Sequence, residues 1–154
     1  MEKAIFAAGC FWGVEAAFQS MPGVSSAVSG YTGGQLDNPS YEQVCAGASG
    51  HAEAVEVAFD AEVISYEQLL EAFWKMHDPT TPNRQGPDVG HQYRSGIFFL
   101  TPEQEQSARE SAAKAQENLT QPIVTEVSAA STFWPAEDYH QDYFEKRGIA
   151  SCHL

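Results

Sequence analysis

In the stretch FAAGCFWGVEAAF, residues 6–18, a short apolar run gives way to a helix-like one across Gly9, Cys10, Phe11, Trp12 and Gly13. Residues 3–8 read as a short buried strand. Residues 11–20 read as a helix stopped by Met21-Pro22-Gly23, which puts Cys10 at that helix's first turn. The same alternation continues along the chain. Residues 24–31 form a second strand candidate, and in residues 52–59 Val55, Val57 and Phe59 share one face, with Glu53 on that apolar side. Ser65 with Gln68 makes a capping-box pattern ahead of Tyr66, Leu69, Leu70, Phe73 and Trp74, which keep the spacing of an amphipathic helix. Residues 93–100 read as a strand, and Thr101-Pro102-Glu103-Gln104 opens a helix running to about Leu119. Residues 123–128 are a strand, residues 135–146 a short helix, and residues 148–154 a tail. Two segments lack a period and read as loops, residues 37–50 and the proline-rich residues 78–92. Strands and helices interleave with no linker, so one α/β or α+β domain is expected over residues 1–154.

The totals narrow the function classes. A chain of 154 residues with 43% hydrophobic content and no long apolar run is a globule with one core and no membrane span. Its 21 acids against 8 Lys and Arg give a formal charge of −13, which repels nucleic acid and anionic lipid alike. The first residues lack a signal h-region, and three widely spaced cysteines suit a reducing compartment. A cytoplasmic location is therefore expected.

Chemistry is concentrated around Cys10. At a helix N-terminus a thiol meets unpaired backbone N–H groups and the positive end of the dipole, both of which favour thiolate. Cysteine is also among the most buried residue types, and the residues alone leave both readings open. Glu53, facing a core, loses solvation and is pushed toward the protonated acid; the alternative is a glutamate at a strand end pointing into water. Tyr41 and Tyr93, in or beside loops, are hydrogen-bond donors or packing residues, and Asp88 is by default a turn-former. Cys152 sits on a tail able to bring a second thiol to the first. Cys45 has the same option but reads as structural. No CxxC or paired Cys/His spacing indicates zinc. A Cys/His hydrolase using His51, His77, His91 or His140, or a Cys/His interaction module, remains open.

The motifs GCFWG (residues 9–13), GYTGG (30–34), NPSYEQVC (38–45), GHAEAV (50–55), HDPTT (77–81), RQGPDVGHQYRS (84–95) and AEDYHQDYF (136–144) carry further information. In order and spacing the set resembles the A-type peptide-methionine sulfoxide reductases, over residues 3–152. The resemblance implies a two-layer α/β (α+β) sandwich, ferredoxin-like, with a mixed sheet and flanking helices. It also implies reduction of the S-epimer of methionine sulfoxide, free or in proteins. It assigns Cys10 as nucleophile, Glu53 as proton donor, and Tyr41 and Tyr93 as holders of the sulfoxide oxygen. Phe11 and Trp12 become a wall around the substrate methyl, Asp88 an orienting acid, and Cys152 the resolving cysteine, with thioredoxin as reductant. No metal or organic cofactor is implied, and a monomer is expected. Many members carry a further C-terminal cysteine; this chain ends two residues after Cys152 without one, which favours a Cys10–Cys152 disulfide attacked directly.

Overall fold

The computed structural model describes residues 1–47 and 49–143. In chain order the elements are β1 (Glu2–Ala8), α1 (Phe11–Gln19), β2 (Val24–Thr32), α2 (Tyr41–Cys45), β3 (Ala52–Phe59) and α3 (Tyr66–Lys75). Then come β4 (Arg84–Gln85), β5 (Asp88–Val89), β6 (Ser95–Phe99), α4 (Pro102–Gln116), β7 (Glu126–Ala129) and β8 (Trp134–Pro135). Short 3₁₀ turns cover His91–Tyr93 and Asp138–His140.

One six-stranded sheet runs in the order β7-β6-β1-β3-β2-β8, and β4 and β5 form a small separate ladder. β1 is antiparallel to both of its neighbours, β3 and β6, while β7 joins β6 in parallel, so the sheet is mixed. Its central four strands with α1 and α3 follow the split βαβ pattern expected of a ferredoxin-like sandwich.

Alternating side chains explain the two layers. Phe6 of β1 and Val55, Val57 and Phe59 of β3 face Phe11 and Phe18 of α1 and Leu70 and Phe73 of α3 in one large core. The Phe6 ring centroid lies 5.1 Å from that of Phe18 and 5.4 Å from that of Phe73. On the opposite face Ile5, Ala7, Ala54 and Phe98 are covered by Ala130 and Phe133 of an irregular segment. Ser65 and Gln68 form the expected capping box, and Thr101 caps α4 with Pro102 in its first turn. Among the described residues no helix is long and apolar enough to cross a membrane.

The structure departs from the sequence pattern in several places. Ser40 and Gln43 make a second capping box, so α2 forms inside the expected loop 37–50, with Tyr41 as its first residue. Tyr93 closes a 3₁₀ turn ahead of β6 instead of opening that strand, and the strand expected at 123–128 begins at Glu126. In the described part of the expected helix over residues 135–146, only a 3₁₀ turn at Asp138–His140 and a helical Tyr143 are formed. Trp134 and Pro135 instead pair with Tyr31 and Gly30 at the sheet edge, where a proline loses no ladder hydrogen bond. The tail 148–154, with Cys152, lies outside the described residues.

Candidate active site

β1 delivers Ala8 from the middle of the sheet to Gly9, whose φ of 97° lies in the left-handed region. A Cβ there would also meet Gln85 Cγ at 2.7 Å, so glycine both makes the turn and lets the loop of residues 78–92 approach. Cys10 follows, partly buried, as the residue capping α1. The positive end of the nine-residue helix and its unpaired N–H groups therefore lie beside the thiol.

One of those N–H groups fixes the second key residue. Phe11 N–H donates to Glu53 Oε1 at 3.1 Å, across 42 residues of sequence. Glu53 is only 1% exposed, and its Oε2 has no hydrogen-bond partner among the described residues. Burial, opposed by the Phe11 bond and reinforced by the charge of Asp88, pushes its carboxyl up to about 8. A neutral acid with an open oxygen thus stands one residue from the thiol.

Among the described residues, Tyr41, Tyr93 and Asp88 lie close to this pair. Tyr93 lies close enough to Glu53, Cys45, Asp88 and Cys10 for their charges to act on it, and burial above all lifts its hydroxyl to about 12. Burial, with Cys45 and Glu53 adding to it, pushes the Tyr41 hydroxyl well above its ordinary value. Both phenols remain donors at neutral pH. Asp88 is held in the β4–β5 ladder opposite Gln85. Phe11 is buried and Trp12 half-buried, with ring centroids 6.5 Å apart. Cys45 is the last residue of α2 and exposed, beside Tyr41 and Gln92.

Sequence reasoning missed the segment that closes this region. Tyr31 Oη donates to Glu137 Oε1 at 2.8 Å, and the Tyr41 N–H donates to Glu137 Oε2 at 3.1 Å, so one carboxylate ties β2 to α2. His140 Nδ1 accepts from the Trp12 indole N–H at 3.0 Å. Glu137 was signalled only by its place in the AEDYHQDYF motif, and His140 by that and as one of four candidate hydrolase bases.

The histidines decide the hydrolase alternative. His51 Nδ1 accepts from Gly34 N–H, and its Nε2 lies 2.7 Å from the Leu36 carbonyl. His77 Nδ1 is bonded to the Phe73 carbonyl and Nε2 to Ser95 Oγ, and the acceptor nitrogen of His140 is taken by Trp12. His91 is exposed and bound to the Gly50 backbone. Three of these four rings have no acceptor nitrogen left for a thiol proton, and the fourth faces solvent. Among the described residues no three His, Cys, Asp or Glu side chains are grouped to hold a metal ion.

Comparison with known proteins adds an independent line. The family model described as peptide methionine sulfoxide reductase matches residues 2–154. A protein of Methanoculleus marisnigri named peptide methionine sulfoxide reductase MsrA is 54% identical over 154 residues, covering 99% of this chain and 94% of its own. One of the same name from Acidobacterium capsulatum is 55% identical over 156 residues, covering all of both. Among solved structures, reduced Mxr1 from Saccharomyces cerevisiae superposes with a TM-score of 0.93 at 31% identity, over 99% of this chain and 88% of that one. Mxr1 is also solved in complex with Trx2.

Proposed function

We propose, for a chain that belongs to the peptide methionine sulfoxide reductase family, that Cys10 attacks the sulfoxide sulfur while Glu53 protonates its oxygen. The enzyme reduces methionine sulfoxide by thiol chemistry, and the single observation supporting these roles is the Phe11–Glu53 hydrogen bond. It sets a buried, protonated carboxyl with one open oxygen against the residue that follows the thiol.

Sulfoxide oxygen leaves sulfur poorly unless protonated, so nucleophile and acid must act in one transition state. The oxygen passes to Cys10, methionine departs, and Cys10 becomes a sulfenic acid. Tyr41 and Tyr93 donate to the oxygen as charge builds on it, a contribution of roughly 3–4 kcal/mol per donor at comparable sites. Phe11 and Trp12 take the methyl, and Asp88 orients the rest. A site that fixes methyl, oxygen and thiolate together selects one epimer, here the S form, free or in proteins.

Cys152 then displaces water from the sulfenic acid to give a Cys10–Cys152 disulfide, which an external dithiol of the thioredoxin class reduces. Mxr1, the yeast relative seen with Trx2, supports that choice of reductant. The scheme uses no organic cofactor or metal, and its thiols suit a cytoplasmic monomer. The tail 148–154 belongs to the same domain as the resolving arm.

Mass spectrometry after addition of a methionine sulfoxide peptide tests the scheme. A loss of two hydrogens is expected from the parent, and none from Cys10→Ser or Cys152→Ser. Reductase turnover retained by Cys10→Ser would overturn the nucleophile assignment.

A further inference from the structure

Gln85 joins three parts of the molecule. Its side-chain amide clasps the backbone of Asp78, with Oε1 accepting the Asp78 N–H at 2.8 Å and Nε2 donating to the Asp78 carbonyl at 2.6 Å. Asp78 is a fixed post. The preceding His77 is bonded to the Phe73 carbonyl of α3 and to Ser95 Oγ of β6, each at 2.7 Å, and the Thr80 N–H and hydroxyl both donate to Asp78 Oδ1. The aliphatic half of Gln85 rests on Gly9, where an added Cβ would stand 2.7 Å from its Cγ and 2.8 Å from its Cβ. Across the β4–β5 ladder, its backbone is paired with Asp88. An amide that donates to and accepts from one residue reproduces a rung of a sheet. Strands of two residues hold little by themselves, so this extra rung carries much of the ladder's anchorage.

We propose that Gln85 is a positioning residue, a strut that sets the height of the β4–β5 ladder over Gly9 and thereby the reach of Asp88 toward the substrate and Glu53. This rests on the reading of Asp88 as the acid that orients the substrate. The groups facing Glu53 make the strut measurable. They are the Phe11 N–H on α1, Tyr31 on β2, Tyr41 and Cys45 on α2, Tyr93 in the 3₁₀ turn and Asp88 on β5. Burial raises the three phenols and the Cys45 thiol, which keeps them uncharged at neutral pH. Among these groups Asp88 is therefore the charge that adds to burial in holding the Glu53 carboxyl high. A ladder that recedes takes this charge away, and Glu53 then ionises at lower pH.

The test uses full-length Gln85→Met, Asp88→Asn and the double variant, assayed with a methionine sulfoxide peptide. Methionine keeps the aliphatic chain on Gly9 and loses both amide bonds to Asp78. In Gln85→Met the KM should rise about three- to tenfold, in keeping with the loss of neutral hydrogen bonds. Its single-turnover rate at pH 6 and saturating substrate should stay within about twofold, while the alkaline fall of that rate moves to lower pH. Asp88→Asn should raise KM and move the fall in the same direction, and the double variant should match Asp88→Asn alone. Parental KM or an unmoved alkaline fall in Gln85→Met, or effects that add in full in the double variant, would overturn the strut. Should Gln85→Met not fold, exchange of the Asp78 amide in the parent as fast as in an unfolded chain would do so. Asp88→Asn separates the two ideas. Parental KM and pH profile there remove Asp88 from its role and the strut with it, whereas an altered Asp88→Asn beside a parental Gln85→Met removes only the role of Gln85.

Discussion

Glu53 is both the most informative side chain in the molecule and the most expensive. Its carboxyl titrates at about 8 against an ordinary 4.5, so the folded protein holds this proton more tightly than the unfolded chain does. Stability from this group is complete below pH 4.5 and falls as the pH rises through 8. The loss approaches about 5 kcal/mol when the full shift is counted. Glu53→Gln removes the titration. The variant should lose single-turnover rate by about two orders of magnitude, typical for a general acid, yet gain stability relative to the parent between pH 5 and pH 9. Denaturant midpoints at the two pH values check this, and an unchanged difference would mean that the carboxyl ionises freely in the folded protein. In the parent the reductase rate should decline as the pH passes 8, because the ionised carboxyl has no proton to give. The burial of Glu53 was legible because strand parity at Val55, Val57 and Phe59 extends to it, whereas the proton-donor role was implied only by the motif resemblance. Its bond to Phe11 was not, because the two residues are neighbours only in space.

On α1 one face does more than bury apolar surface. Trp12, Glu15 and Gln19 recur at helical spacing, and all three grip the same late segment. Trp12 stacks on Tyr143 with centroids 3.7 Å apart, Glu15 Oε1 accepts the Asp142 N–H at 2.5 Å, and Gln19 Nε2 donates to Asp142 Oδ1 at 2.6 Å. Glu15, 1% exposed, also accepts the Ser29 hydroxyl at 2.7 Å, and burial raises its carboxyl despite these bonds. Removing it leaves the buried Ser29 hydroxyl and the half-buried Asp142 N–H unpaired, so Glu15→Ala should cost about 3 kcal/mol by chemical denaturation. Hydrogen exchange should quicken in residues 138–142 while β1 and β3 stay protected. Uniform loosening would show that no local latch exists. Pattern reading placed α1 between Cys10 and the Met21-Pro22-Gly23 stop but passed over Glu15, which reads as an ordinary helix glutamate. Only its partners, some 14 and 127 residues away, reveal it as buried. The first residues of the helix expected at 135–146 leave that pattern for the related reason that β2 and α1 supply their contacts, which override local propensity.

For the molecule as a whole, the α/β or α+β class was legible because strand and helix patterns alternate without a linker, while the two-layer ferredoxin-like sandwich was implied only by the motif resemblance. β7 and β8 were less so, since four- and two-residue strands carry almost no periodic signal. The proposed catalytic cycle also runs the length of the sequence, from Cys10 to Cys152. Cys152→Ser should still release about one methionine per enzyme and then stall with thioredoxin; undiminished cycling would transfer the resolving role to Cys45. The sheet borders carry a last implication. β8 is two residues long and ends in Pro135, and on the other side β7 offers four residues. A loosened polypeptide chain carries exposed backbone that seeks such a border to pair with. Along β8 it would find only two residues, one of them without an amide proton to offer.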